Sequence, residues 1–391
     1  MSNHPSSKEA TQPLDIWISE ELIFQDNNIR PCPLLMHFSE PDTNTQTLFW
    51  NPLRTVLPNL VRVHRYQNIE EAGRLVVIPH DAKEWMFLKK LKALRHHIKN
   101  VLATGRTVVT FAGGMEYEPL PGEVVFGTSV YEYADEKLIP IPTWIYDIGH
   151  LITTTPMPAV PTITFDGNTR YSSTINKLTK SVPVPDALTY RIALSRRLGR
   201  MLDIKFRFII PRLLRQRVLK SVRAARNLKS HLVERDHFFV LSPEEQIKAR
   251  SEYLRAIQEH AYVLCMRGDA NGDFRTYEVL SAGRIPVIID TKLHLPELEG
   301  MKWEDFCVFV PLSQLDHIGE IIENFHRRLT EETFQQKCQM ARQSYEQLMP
   351  HRFIYRIISE IRSRIKHPID DQPANTVSTT ETVIGKSAFT H

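Results

Sequence analysis

The chain is poor in the features that announce several common protein classes. Its four cysteines, Cys32, Cys265, Cys307 and Cys338, are scattered through 391 residues. They form no CxxC pair and no zinc spacing, which excludes a disulfide-stapled scaffold and points to a reducing compartment. No apolar run is long enough to span a bilayer. The polar opening MSNHPSSKEATQPLD has no apolar core and does not read as a secretory signal, so a cytoplasmic location is expected. A Walker loop, a GxSxG elbow and a GxGxxG fingerprint are all missing, and no repeat period is visible. Asp269-x-Asn271-x-Asp273 begins like a calcium loop. Phe274 stands where such a loop needs glycine, however, and Leu280 where it needs the final glutamate. His96-His97 has neither a carboxylate partner nor a third ligand, and no exposed Asp-x-Asp occurs. No metal site and no tightly held cofactor are expected.

What the chain does have is length, with hydrophobic residues at 42%, enough for two cored domains. Its clearest stretch runs from Tyr262 to Asp290. Tyr262 to Met266 is a short buried-strand pattern. Arg267 to Asp273 is a turn-rich loop with Gly268, Asn271 and Gly272. Asp273 is placed to cap a helix, and Gly283 to end it in the left-handed conformation. Ile285 to Asp290 is a second buried strand. Two apolar strands joined by a helix form a βαβ unit in a parallel sheet. Such sheets bind ligands at the carboxyl ends of their strands, and that edge here carries Arg267, Asp273, Arg275 and Glu278. Arg275 and Glu278, three apart, share a helix face. The arginine can hold a diphosphate, and the carboxylate can accept two ribose hydroxyls. The same spacing also fits an i,i+3 ion pair beside a capping aspartate.

The pattern Arg267-Gly268, Arg275-x-x-Glu278, Gly283-Arg284-Ile285-Pro286-Val287, followed by Leu295-Pro296 and Trp303, resembles the exostosin-type glycosyltransferases. The family pattern reads Arg-Gly, Ser-x-Arg-x-x-Glu-Ala, Gly-Cys-x-Pro-Val. The chain departs from it at Asp273, Val279 and Arg284. The resemblance implies an α/β GT-B type fold, two facing Rossmann-like domains with a cleft between them. It implies transfer of a sugar, with inversion, from a nucleoside-diphosphate donor (a UDP-sugar is expected) to a glycan or lipid-linked acceptor, without a metal. Arg267 and Arg275 would hold the diphosphate and Glu278 the ribose. The family's first-domain glycine-aspartate-histidine segment has no counterpart here. A non-catalytic carbohydrate-binding or scaffold protein that keeps the fold is therefore the alternative.

Along the chain, 1–13 and 366–391 are expected to be disordered tails. An acceptor domain is expected over 14–150, a proline-rich linker over 151–161, a nucleotide-sugar domain over 162–349, and a helix over 350–365 that returns to the first domain. The first domain should contain strands at Leu14–Ile18, Arg74–Pro79, Thr107–Phe111, Val124–Val130 and Leu138–Ile141. A helix over Glu84–Leu102 should carry Trp85, Leu88, Leu91 and Leu94 on one side. The candidate bases that would deprotonate the acceptor are Asp81, His80 and Glu116. The second domain opens with a strand at Thr162–Phe165. Gly167 follows it, where backbone can approach a ligand, with Asp166 and Arg170 beside it. Further strands are expected at His237–Leu241 and Cys307–Val310, with a helix start at Ser242-Pro243.

Residues 191–235 hold fourteen Lys or Arg against Asp203 and Glu234. A solvated helix face, an anionic membrane surface and nucleic acid are the competing partners, and nucleic acid is not the expected one. Within the tract, Arg223 and Arg226 are candidates for contact with donor phosphates.

Overall fold

A computed structural model of the chain describes residues 12–24, 26, 29–39, 48–132, 134, 138–169, 209–235, 242–268 and 270–365. Arg170, Asp203, the part of the basic tract before residue 209 and the expected strand at His237–Leu241 lie outside the described residues. So do residues 1–11 and 366–391 of the expected tails. The chain divides into two compact units. The first comprises Met1–Thr128, Ala134–Ile141 and Met349–His391, the second Ser129–Tyr133 and Pro142–Leu348. Both are parallel α/β units of the kind the sequence implies.

The first unit is a parallel sheet of six strands: β1 (Leu14–Ser19), β2 (Val61–Tyr66), β3 (Leu75–Val77), β4 (Thr107–Ala112), β5 (Glu123–Gly127) and β6 (Leu138–Pro140). Their spatial order is β2-β1-β3-β4-β5-β6, and every pairing is parallel. Its helices are α1 (Asn51–Val56), α2 (Ala82–Phe87), α3 (Leu91–Ala103) and, from the far end of the chain, α9 (Pro350–Arg364), which packs on α1. One face of the sheet buries Val76, Ile78 and Val108 against Trp85 of α2 and Leu94, Ile98 and Val101 of α3, the last three at helical spacing.

The single helix expected over Glu84–Leu102 is two. Lys89 adopts φ 59°, its N–H donates to Met86 O (3.0 Å), and Lys90 N–H donates to Trp85 O (2.8 Å). This pair of bonds is the glycine-type helix stop, made here by a lysine, so the sequence gives no sign of it.

The second unit contains β7 (Thr162–Asn168), α4 (Ile209–Ala224), β8 (Lys229–Arg235), α5 (Pro243–Glu259), β9 (Tyr262–Cys265), α6 (Phe274–Ser281), β10 (Ile285–Asp290), β11 (Val308–Pro311), α7 (Ile318–Arg327) and α8 (Glu331–Leu348). Its sheet order is β11-β10-β9-β7-β8, all parallel. The expected βαβ stretch is present: Asp273 caps α6, and Gly283 follows it at φ +60°. Ser242 caps α5 in a reciprocal capping box with Glu245.

The described part of the basic tract forms α4 and β8. Leu214, Val218, Leu219 and Val222 of α4 are all in the core of this unit. Each such burial contributes about 1.5–3 kcal/mol, more than the 0–1 kcal/mol of a surface ion pair. The apolar side therefore seats the helix, and the charges follow. No helix among the described residues is long and apolar enough to cross a membrane.

Candidate functional site

Strand order fixes where each sheet opens. In the second unit the order reverses beside β7: β8 lies on one side of it and β9 on the other. The crevice outside the carboxyl ends of two such strands is the switch point at which open α/β sheets bind ligands. In this chain the strand ends there are Asp166-Gly167-Asn168 and Met266-Arg267-Gly268.

Two arginines reach those ends, and one of them, Arg215, bridges both. Arg275, in the first turn of α6, donates from Nη2 to the Asp166 carbonyl at 2.5 Å. Its guanidinium lies 4.9 Å from the Phe165 ring centre. Arg215, from α4, donates to Asn168 O at 2.6 Å and to Arg267 O at 2.8 Å, bridging β7 and the loop after β9. Arg267 itself is buried and donates from Nη1 to the Tyr131 hydroxyl at 3.1 Å. Arg212, one turn before Arg215, is buried as well.

Gly167 is what lets Arg275 in. A Cβ on residue 167 would lie 2.9 Å from Arg275 Nη2 and 2.9 Å from the Phe165 ring, inside contact distance. Asp273 Oδ1 accepts from Arg275 N–H at 3.0 Å, capping α6. Burial pushes the Asp273 carboxyl up, with Arg275 beside it pulling the other way. At the start of α6, Asp273 Oδ2, Asn271 Nδ2 and Arg275 Nε are buried without a hydrogen-bond partner among the described residues. Buried polar atoms in folded proteins nearly always have partners, so each of these three calls for a polar group beyond the described residues.

Glu278 is held differently from its neighbour. Arg275 is 7% exposed and Glu278 6%, so neither faces solvent. The i,i+3 ion pair that the spacing also fits is replaced by longer-range contacts. Glu278 Oε1 accepts from Arg250 Nη1 at 2.7 Å and Oε2 from the Tyr253 hydroxyl at 2.6 Å. Burial, with the Glu278 charge beside it, pushes the Tyr253 phenol well above its usual range. Each carboxylate oxygen keeps one lone pair that these bonds do not use.

Residues 215–325 match the Exostosin GT47 domain. This segment is exostosin-like. The exostosin-like segment carries Arg215, Arg267, Asp273, Arg275 and Glu278. Exostosin-2 of Bos taurus is 32% identical over 81 residues, 21% of this chain and 11% of that protein. The matched region thus spans about a tenth of its curated relatives. Among solved structures, a glycosyltransferase from Rickettsia africae ESF-5 covers 90% of this chain and 98% of its own, at 10% identity and TM-score 0.37. The calicheamicin glycosyltransferase CalG4 covers the same shares at 10% identity and TM-score 0.31.

The sequence does not single out Arg215 and Arg212, and the candidates it offers in the basic tract are Arg223 and Arg226. Arg223 is exposed and paired with Glu234, and Arg226 is exposed. The signal that was there is Arg212-x-x-Arg215 on the opening turns of the helix in the β7–β8 crossover, submerged in a run of other cations. Arg250 and Tyr253, which hold Glu278, were missed too.

In the first unit the order reverses between β1 and β3, and His80-Asp81 follow β3, the position Arg267-Gly268 occupy after β9. His80 is buried with both ring nitrogens engaged. Nδ1–H donates to Arg30 O at 3.0 Å, and Nε2 accepts from Phe24 N–H at 3.0 Å. Burial lowers its pKa. No lone pair is left for a base, which sets His80 aside from the expected trio. Asp81 caps α2, with Oδ1 accepting from Lys83 N–H at 2.8 Å and Oδ2 from Gly113 N–H at 2.7 Å. Burial pushes its carboxyl up to about 6. Glu116 lies half-buried beyond Gly113-Gly114. Among the described residues no cluster of three potential metal ligands occurs.

Proposed function

We propose that the chain is an exostosin-like glycosyltransferase whose second unit binds a nucleoside-diphosphate sugar at the β7/β9 switch point. The observation that carries this reading is the bridge of Arg215 across both strand ends, with Arg275 on the β7 end, beside three buried polar atoms without a partner among the described residues; both arginines and all three atoms lie in the exostosin-like segment. Arg275 and Arg215, with Arg267 and Arg212 behind them, supply fixed positive charge for the leaving diphosphate. Preorganised cations of this kind stabilise charge that develops in the transition state. The opening turns of α4 and α6 add helix amides at the same edge, so departure of the nucleotide does not require a metal. Asp273 Oδ2 and the remaining lone pairs of Glu278 are acceptors for ribose or sugar hydroxyls.

Transfer with inversion requires a base for the acceptor hydroxyl. Asp81 fits that role best, because a carboxyl titrating at about 6 is ionised at neutral pH yet more basic than an ordinary aspartate. The two units would form the GT-B arrangement, the donor held by the second and a glycan or lipid-linked acceptor by the first. The working compartment is proposed to be the cytoplasm and the donor a UDP-sugar.

Calorimetric titration with UDP and with GDP tests the donor half. Saturable binding of one of them supports the transferase. If neither binds, the alternative stands: a carbohydrate-binding or scaffold protein in which Glu278 is closed off by Arg250 and Tyr253.

A further inference from the structure

The corner between α2 and α3 has an exposed apolar tip that neither the sheet nor the candidate site uses. Phe87, the last residue of α2, is 62% exposed, and Leu88 beside it is 41% exposed. Trp85 and Leu94 anchor the corner from inside, where both are buried. The left-handed turn at Lys89 directs the chain from one helix into the next. Single exposed apolar residues are ordinary, but two adjacent large ones at a helix corner beside four lysines are a different case. Lys83 Nζ lies 5.5 Å from the Phe87 ring centre, and Lys89, Lys90 and Lys92 are exposed around the tip. Glu84, on the same helix as Lys83, is half-buried, and from there to Glu116 the chain carries no other carboxylate side chain, so the four lysines outnumber the one acidic group. The corner is therefore apolar at its tip and cationic at its rim.

We propose that this corner docks on an anionic lipid surface, with Phe87 and Leu88 entering the headgroup boundary and Lys83, Lys89, Lys90 and Lys92 meeting lipid phosphates. Interfacial binding combines buried apolar area with attraction of basic side chains to anionic lipid, and both halves are present here within ten residues. The described part of the basic tract is not equipped in this way, because the apolar side of α4 is in the core. The inference rests on exposure and charge in the first unit and not on the transferase reading. If both hold, α2 joins them: Asp81 caps its start and Phe87 ends it, about 9 Å away at 1.5 Å per residue. A lipid-linked acceptor would then reach the candidate base from the same surface.

The test is flotation of the full chain with phosphatidylcholine vesicles, with and without phosphatidylglycerol as the minority lipid. The unaltered chain is expected to float with the anionic vesicles and to stay behind with the neutral ones. Lys90→Gln with Lys92→Gln should weaken partitioning about 30-fold, from about 1 kcal/mol per basic residue at 1.4 kcal/mol per decade. Phe87→Ser with Leu88→Ser should weaken it about tenfold or more. Neither pair should change the circular dichroism spectrum or the melting temperature, since all four side chains are exposed. Failure of the unaltered chain to float, or equal flotation with neutral vesicles, would overturn the proposal. Variants that float like the parent would also overturn it, by placing the contact elsewhere, and so would loss of flotation only where the fold is lost.

Discussion

Arg275 shows how a residue legible in the sequence comes to rest on partners that are not. Its position three before Glu278 and two after the capping Asp273 is local and readable. Its contacts with Asp166 and Phe165 cross more than a hundred residues, and no spacing rule reports them. Arg215 lies at the other extreme, bonded to carbonyls of β7 and of the loop after β9 that no local spacing rule reports. Gly167 has no unusual backbone angle to argue from, and its role is room. Replacing it with alanine sets a methyl at 2.9 Å from the Arg275 guanidinium and should drive it off the Asp166 carbonyl. Loss of one charge-assisted bond at the site weakens binding about tenfold or more. Titration of Gly167→Ala with the nucleotide that the parent binds checks this, and parental affinity would count against the packing role. Asp81 carries a second expectation at this scale. A base that ionises at about 6 makes turnover rise with pH up to that point and level off above it. Asp81→Asn should lower kcat about 10²–10⁴-fold and leave nucleotide affinity unchanged. A rate that does not vary between pH 5 and 7 would remove Asp81 from the role.

At the scale of elements, most strands and helices were readable from short apolar runs and cap residues. The two missed strands, β2 (VRVHRY) and β8 (KSHLVER), share a physical reason. Each is the edge strand next to the first strand of its sheet, with polar or charged residues at most positions. Edge strands carry charge because an apolar edge would recruit other chains, so the pattern that marks a buried strand is absent from them. The split between α2 and α3 was hidden because lysine stands where glycine is customary. Buried polar clusters were hidden too. Glu123, at the start of β5, is fully buried, and burial pushes its carboxyl up. Oε1 accepts from the Thr110 hydroxyl at 2.6 Å and the Tyr117 hydroxyl at 2.9 Å, and Oε2 from Leu120 N–H at 2.8 Å. The group ties β4 and the loop before β5 to one point. Glu123→Ala leaves three buried donors without an acceptor and should cost about 3–5 kcal/mol in denaturant unfolding. Glu123→Gln, which retains acceptor capacity, should cost clearly less. Equal costs would mean that the volume of the side chain, and not its hydrogen bonds, matters.

At the scale of the whole molecule, the two units repeat one arrangement. Each sheet sets its second strand on one side of the first and the remaining strands on the other, so each has a single switch point. The loop after the third strand supplies candidate residues in both units: His80-Asp81 in the first, Arg267-Gly268 in the second. The sequence revealed the second of these through a motif and the first only as polar residues after a strand. That difference explains why the second unit was legible in more detail than the first. The claim on which the rest depends is that Arg275 grips the diphosphate of a nucleotide sugar. Calorimetric titration of Arg275→Ala, beside the parent chain and with the same nucleoside diphosphate, tests it most directly. The expected result is saturable binding by the parent and at least a roughly hundredfold loss in a variant that still melts cooperatively. Equal affinity in the two chains would contradict it.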